Sequence, residues 1–232
     1  MNLKPAIIMT IALITTAASA DIDVDPANLV LNEGSGLEAR FKADINGWDS
    51  LLSDNSTTSG ASTTGQISNT RSDFENQTFA FDLTYDASIS LFSWTITRPD
   101  ETSNTLTQSL TTTDSFNTIQ LFTDGSAGTT SLTNLSFSGM GETLTNSDFS
   151  NIDTGPSTGT FAESFLFFGN AADITSEDWT LSGDISFGQF NRNNPNERNK
   201  ITIQIRQAAV PAPATFAIIG IGGLVSARRR RS

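Results

Sequence analysis

The sequence predicts an all-β fold: a single β-sandwich, jelly-roll topology being one option, flanked by a cleaved N-terminal signal peptide and a C-terminal apolar helix. Three observations predict it. Runs such as Phe79-Ala80-Phe81-Asp82-Leu83-Thr84-Tyr85 and Ile201-Thr202-Ile203-Gln204-Ile205 alternate with period two, the mark of a strand with one buried face. Turn pairs, among them Asp124-Gly125, Ser138-Gly139 and Ser182-Gly183, recur at the spacing of a sandwich. Between the two terminal apolar segments no stretch carries a convincing helical pattern.

Residues 1–20 read as a signal peptide. Lys4 gives a weakly basic start, an apolar core runs from about Ala6 to Ala18, and Ala18-Ser19-Ala20 fits the small-x-small pattern read by signal peptidase. Cleavage is expected before Asp21. The domain then spans 21–209, a length suited to one all-β unit. Its first strand is expected over Leu37–Ile45, and Ser53–Ser72, nearly all Ser, Thr, Gly and Asn, reads as a long mobile loop or an edge excursion. The run 79–85, the turn Asp86-Ala87-Ser88 and the run 89–97 form an antiparallel hairpin, which Arg98-Pro99-Asp100 ends. Further strands are expected over 105–110, 118–122, 132–138, 160–168, 179–190 and 201–206. The last should pair with 181–190 across the polar loop from Asn191 to Asn199.

Composition excludes several function classes. All 25 acidic residues fall in the domain, with eight of the 13 basic ones, giving it a formal charge of −17. Such a chain repels nucleic acid, so none is expected as partner. The acidity reads as solubility outside the cell, with divalent-cation binding as the sharper alternative. The chain has no cysteine and no histidine. Stability therefore comes from the core, and Ser-His-Asp triads, His-based zinc sites and Cys-His pairs are excluded.

Three kinds of site are weighed. Asp21, Asp23 and Asp25 alternate along an extended chain and offer oxygen ligands to calcium, the one cofactor the sequence leaves open; Pro26 and Asn32 stand where an EF-hand has its glycine and glutamate, so a solvated N-terminus is the better reading. Asp124-Gly125-Ser126 and Asp173–Asp178 are further cation-loop candidates, each equally an ordinary turn or strand lead-in. Trp48, beside Gly47, is the candidate for stacking on a sugar, whereas Trp94 shares a face with Phe92 and Ile96 and belongs to the core. A glycosidase would need a carboxylate pair, for which Glu163 and Asp184 are the candidates.

The last 23 residues, 210–232, form a separate segment. Val210-Pro211-Ala212-Pro213-Ala214 stays extended, since proline fixes φ and lacks a donor. An apolar run from Thr215 to Ala227 follows, carrying Phe216, Ile218, Ile219, Ile221 and Leu224, and Arg228, Arg229, Arg230 and Arg231 end it. Four arginines cannot follow the apolar run across a bilayer, and they match the excess of positive charge found on cytoplasmic flanks. The run is 13 residues, roughly 20 Å as a helix, against a bilayer core of about 30 Å, which suits a transient signal better than a permanent anchor.

This order of a short proline motif, a single glycine-bearing apolar helix and an arginine cluster resembles the PEP-CTERM sorting domain of bacterial exosortase substrates. The resemblance covers about Val210 to Arg231. The commonest motif of that class is Pro-Glu-Pro; here Pro211-Ala212-Pro213 stands in its place, close to a Val-Pro-Ala-Pro variant. The resemblance implies Sec export in a Gram-negative bacterium, recognition by an exosortase-like membrane transpeptidase, removal of the tail, and delivery to the cell surface or an exopolysaccharide matrix. The sequence reading is thus a non-enzymatic surface or matrix protein associated with exopolysaccharide or biofilm. The alternatives are a calcium-assisted carbohydrate-binding module and, behind it, a glycosidase.

Overall fold

The computed structural model describes residues 22–32, 36–44, 47–54, 62–68, 75–111, 113–125, 128–149, 152–154, 161–189 and 199–210. Alternating apolar residues put strands through nearly all of it. In chain order they are β1 (Asp23–Val24), β2 (Val30–Leu31), β3 (Leu37–Asp44), β4 (Gly47–Asp54) and β5 (Ser62–Ser68). Next come β6 (Gln77–Asp86), β7 (Leu91–Thr97), β8 (Ser103–Ser109), β9 (Thr118–Gly125), β10 (Thr130–Gly139) and β11 (Glu142–Leu144). The last are β12 (Ile152–Thr154), β13 (Phe161–Phe167), β14 (Trp179–Phe187), β15 (Asn199–Arg206) and β16 (Ala208–Ala209). One 3-10 turn, Asn146–Asp148, is the sole helical element among the described residues.

The first sheet runs β1-β13-β9-β15-β3-β4-β5, and the second runs β11-β10-β14-β6-β7-β8 with β12 on the outer edge of β10. All pairings are antiparallel. The described residues are therefore all-β, with two large antiparallel sheets, an arrangement consistent with a β-sandwich. Both sheets feed one core: Phe41 of β3 lies 5.3 Å from Phe79 of β6 and 5.5 Å from Phe187 of β14, ring centre to ring centre. Trp94 of β7, fully buried as expected, donates from Nε1 to Ser50 Oγ of β4 at 2.8 Å, a polar bond between the sheets.

Several expectations are corrected. β15 does not pair with β14. It lies between β9 and β3, while β14 lies between β10 and β6, so the polar connection after β14 passes from one sheet to the other. Ser182-Gly183 is no turn but the middle of β14. A Cβ on Gly183 would stand 2.8 Å from Leu135 Cδ2 and 2.9 Å from Phe81 Cε1, so the glycine answers to packing between strands. Asp124-Gly125 likewise ends β9 within the ladder, Asp124 facing Phe161 and Lys200. Of the two readings of 53–72, a loop or an edge excursion, the described residues show the second: β5 lies at the edge of the first sheet, hydrogen-bonded to β4. In the hairpin, β7 starts at Leu91 rather than Ile89, which is 62% exposed in the turn. There Asp86 Oδ1 accepts from Ser88 N and Oγ, and Ser90 takes a φ of 52°.

The end of the domain is tied down. β16 pairs with β2, and Asn170 brackets Val210, accepting from its N–H at 3.1 Å and donating to its carbonyl at 3.3 Å. Residues 1–21 and 211–232 lie outside the described residues.

Candidate functional site

Alternation that buries Ile201, Ile203 and Ile205 turns Lys200, Thr202, Gln204 and Arg206 to the outer face of the first sheet. Registers with β9 and β3 place Gln204 between Gln120 and Glu38, and Thr202 between Phe122 and Arg40. The result is a shallow groove of about 260 Å³ whose floor is Gln120 and Thr202, both nearly buried, and whose walls are Glu38, Phe122, Lys200, Gln204 and Arg206.

A strip of planar polar groups crosses it. Gln204 Nε2 donates to Glu38 Oε2 at 3.0 Å, Arg206 Nη1 donates to Gln120 Oε1 at 3.1 Å, and Gln120 Nε2 donates to Glu163 Oε2 at 3.1 Å. Arg206 Nη2 also holds the carbonyl of Asn32 at 3.0 Å. Beside the strip, Phe122 and Phe161 stack with centroids 5.7 Å apart and planes 23° apart, and Lys200 Nζ sits 5.7 Å from the Phe122 ring centre. Phe161 is 65% exposed, an outlay of apolar surface that the core does not explain.

Charge on this face is balanced. Arg40 faces Glu38 at 3.6 Å, Lys42 faces Asp49 at 2.5 Å and Lys200 faces Asp124 at 3.8 Å. Among the described residues Arg206 donates to neutral oxygens. Four of the domain's eight basic residues thus gather on one face of a strongly acidic chain, matched there by Glu38, Asp49, Asp124 and Glu163.

The sequence-predicted residues fall elsewhere. Asp23 is exposed on β1, opposite Phe167, and Asp25 leaves the strand with φ 54° so that its Oδ1 accepts from Phe165 N at 2.7 Å. Asp21 lies outside the described residues. Among the described residues no three acidic side chains gather as a cation cage. Asp173 serves its own turn, accepting from Thr175 N and Oγ1, and Asp178 accepts from Ala87 N at 2.7 Å. Trp48 has its backbone in β4, opposite Ala43 and Ser68; its side chain lies outside the described part. Glu163 points outward from β13 and Asp184 outward from β14, on different sheets with the core between them, so they form no carboxylate pair. Of the tail residues only Val210 is described; Ala18, Ala20, Pro211, Pro213, Phe216, Ile218, Ile219, Ile221, Leu224 and Arg228–Arg231 lie outside.

The groove residues escaped sequence reasoning because each is an ordinary outward position of a strand. The available signal was the length of the polar side chains: Lys200, Gln204 and Arg206 alternate where the second sheet carries mostly Ser and Thr. A second, larger cleft of about 400 Å³ is lined by Thr84, Ser138, Thr180, Asp86 and Asp178, but both carboxylates hold the turn at 87–88.

The chain matches no protein-family model, and no curated protein matches its sequence.

Proposed function

We propose that this is an exported, non-enzymatic protein of the bacterial surface or extracellular matrix, delivered through the inner membrane and sorted by its PEP-CTERM-like tail. The observation that carries the reading is the order of three segments: a signal-peptide pattern, a β domain without histidine or cysteine, and Pro-Ala-Pro followed by an apolar run and four arginines. Supporting it, Asn170 brackets Val210, so the described fold reaches the residue at which the proline motif begins. The finer reading of the fold is a jelly roll. The pairs β3–β15, β6–β14, β9–β13 and β10–β12 nest one inside the next, as in a folded ribbon, with β4–β5 and β7–β8 added at one edge of each sheet.

The test is the intact mass of the protein recovered separately from the membrane and from outside the producing cells. A species beginning at Asp21 and ending between Val210 and Thr215, found outside, supports the reading. A membrane-bound species still ending at Ser232 overturns it. The carbohydrate-binding alternative is favoured by one specific observation, the exposed Phe161 stacked beside the polar strip.

A further inference from the structure

We infer that the groove across β3, β15 and β9 is a glycan-binding site that takes an uncharged, hydroxyl-rich polysaccharide chain without calcium. This deepens the matrix reading, on which it rests for its biological setting. A sugar ring has an apolar C–H face and a polar rim of hydroxyls that both donate and accept. Phe161 offers an exposed ring to the first, backed by Phe122 so that it stays in place. Glu38, Gln204 and Gln120 offer the second a mixed edge of carboxylate and amide.

Bonds between neighbouring side chains hold this edge before any ligand arrives, which lowers the entropy lost on binding. From β3 to β13 is three strand spacings, about 14 Å at ~4.8 Å each, so the strip meets a chain rather than a single ring.

Other occupants fit less well. A polyanion would meet three cations already paired with carboxylates and an Arg206 held by neutral oxygens, on a domain of charge −17. A protein partner needs a larger apolar centre than one Phe pair supplies. Calcium has no part, because the acidic oxygens here face amides and cations.

The experiment uses the processed protein from the producing cells, run on native gels cast with a soluble neutral β-glucan, a neutral galactomannan or a polyuronate, each with and without EDTA. Retardation by a neutral polymer, unchanged by EDTA, is expected. Phe161→Ala should weaken it at least 10-fold, Phe161→Trp should retain it, and Thr95→Ala on the opposite face should leave it unchanged. No retardation by either neutral polymer, retardation by polyuronate alone, loss with EDTA, or equal binding by Phe161→Ala overturns the site. Melting curves of all three variants verify that each is folded. Protein found outside the cell with both ends processed but unretarded would sink the site and leave the export reading standing. Retarded protein still ending at Ser232 in the membrane would do the reverse.

Discussion

Asn117 does more for the fold than its plain sequence context suggests. Only 3% exposed, its side-chain amide donates to Ala208 O at 2.9 Å and Gly169 O at 3.1 Å, and accepts from Ala208 N at 2.8 Å. It replaces a missing strand neighbour for β16. Asn117→Ala would leave buried backbone groups without partners, at a cost of about 2–3 kcal/mol by chemical denaturation. A milder local device holds the β7–β8 turn. Thr102 Oγ1 at 2.6 Å and Thr102 N at 3.1 Å both donate to Asp100 Oδ1, and with Arg98 nearby they keep its carboxyl below the ordinary value of 3.8. A depressed folded-state value means that this stabilisation is present above the unfolded pKa and fades as pH falls through the folded one. Thr102→Val should therefore raise the Asp100 midpoint toward 3.8 in an NMR titration, and an unmoved midpoint would refute the hydroxyl's role.

Among the elements, β14 shows how far the sequence was legible. Its alternation from Trp179 to Phe187 placed it as a strand with one buried face, and the same signal revealed β6, β7 and β15. Gly183 misled because Ser-Gly is ordinarily a turn pair; only the neighbouring strands, pressing Leu135 and Phe81 toward it, explain the glycine. Gly183→Ala should cost about 1–3 kcal/mol in thermal or urea unfolding, through overpacking rather than backbone strain. Pairing was the least legible property. Neighbouring runs pair by default, yet the eleven residues between Phe187 and Asn199 suffice to reach the other sheet. β4 and β5 lacked clear alternation and were missed. The outer faces differ for a related reason. The second sheet carries hydroxyl pairs such as Thr95–Thr105 and Thr97–Ser103, both 2.9 Å apart, which satisfy each other across strands. Long side chains that reach past their own strand occur on the first sheet, and there alone periodicity gave no hint that they converge.

For the whole molecule, the decisive boundary is Val210, where the described fold meets the segment proposed as a sorting signal. β16 is only two residues long, but it satisfies Asn117 at two atoms, pairs with β2, and precedes the Asn170 bracket on Val210. Two truncations distinguish a tail that is separate from the domain from one that supports it. A chain ending at Val210 retains every bond described for β16 and should melt with the full-length chain. A chain ending at Gln207 loses β16, the two bonds between Ala208 and the buried Asn117 amide, and the Asn170 bracket, for a loss of about 3 kcal/mol. In a domain of this size that is roughly 6–12 °C of melting temperature. Equal melting of all three would show that β16 contributes nothing. A loss already at Val210 would mean that residues beyond it belong to the fold, and the proposed cleavage near the proline motif would then release a destabilised domain. The expected pattern, full stability at Val210 and a marked fall at Gln207, would mean that the proposed cleavage could fall anywhere in the proline segment without loosening the core.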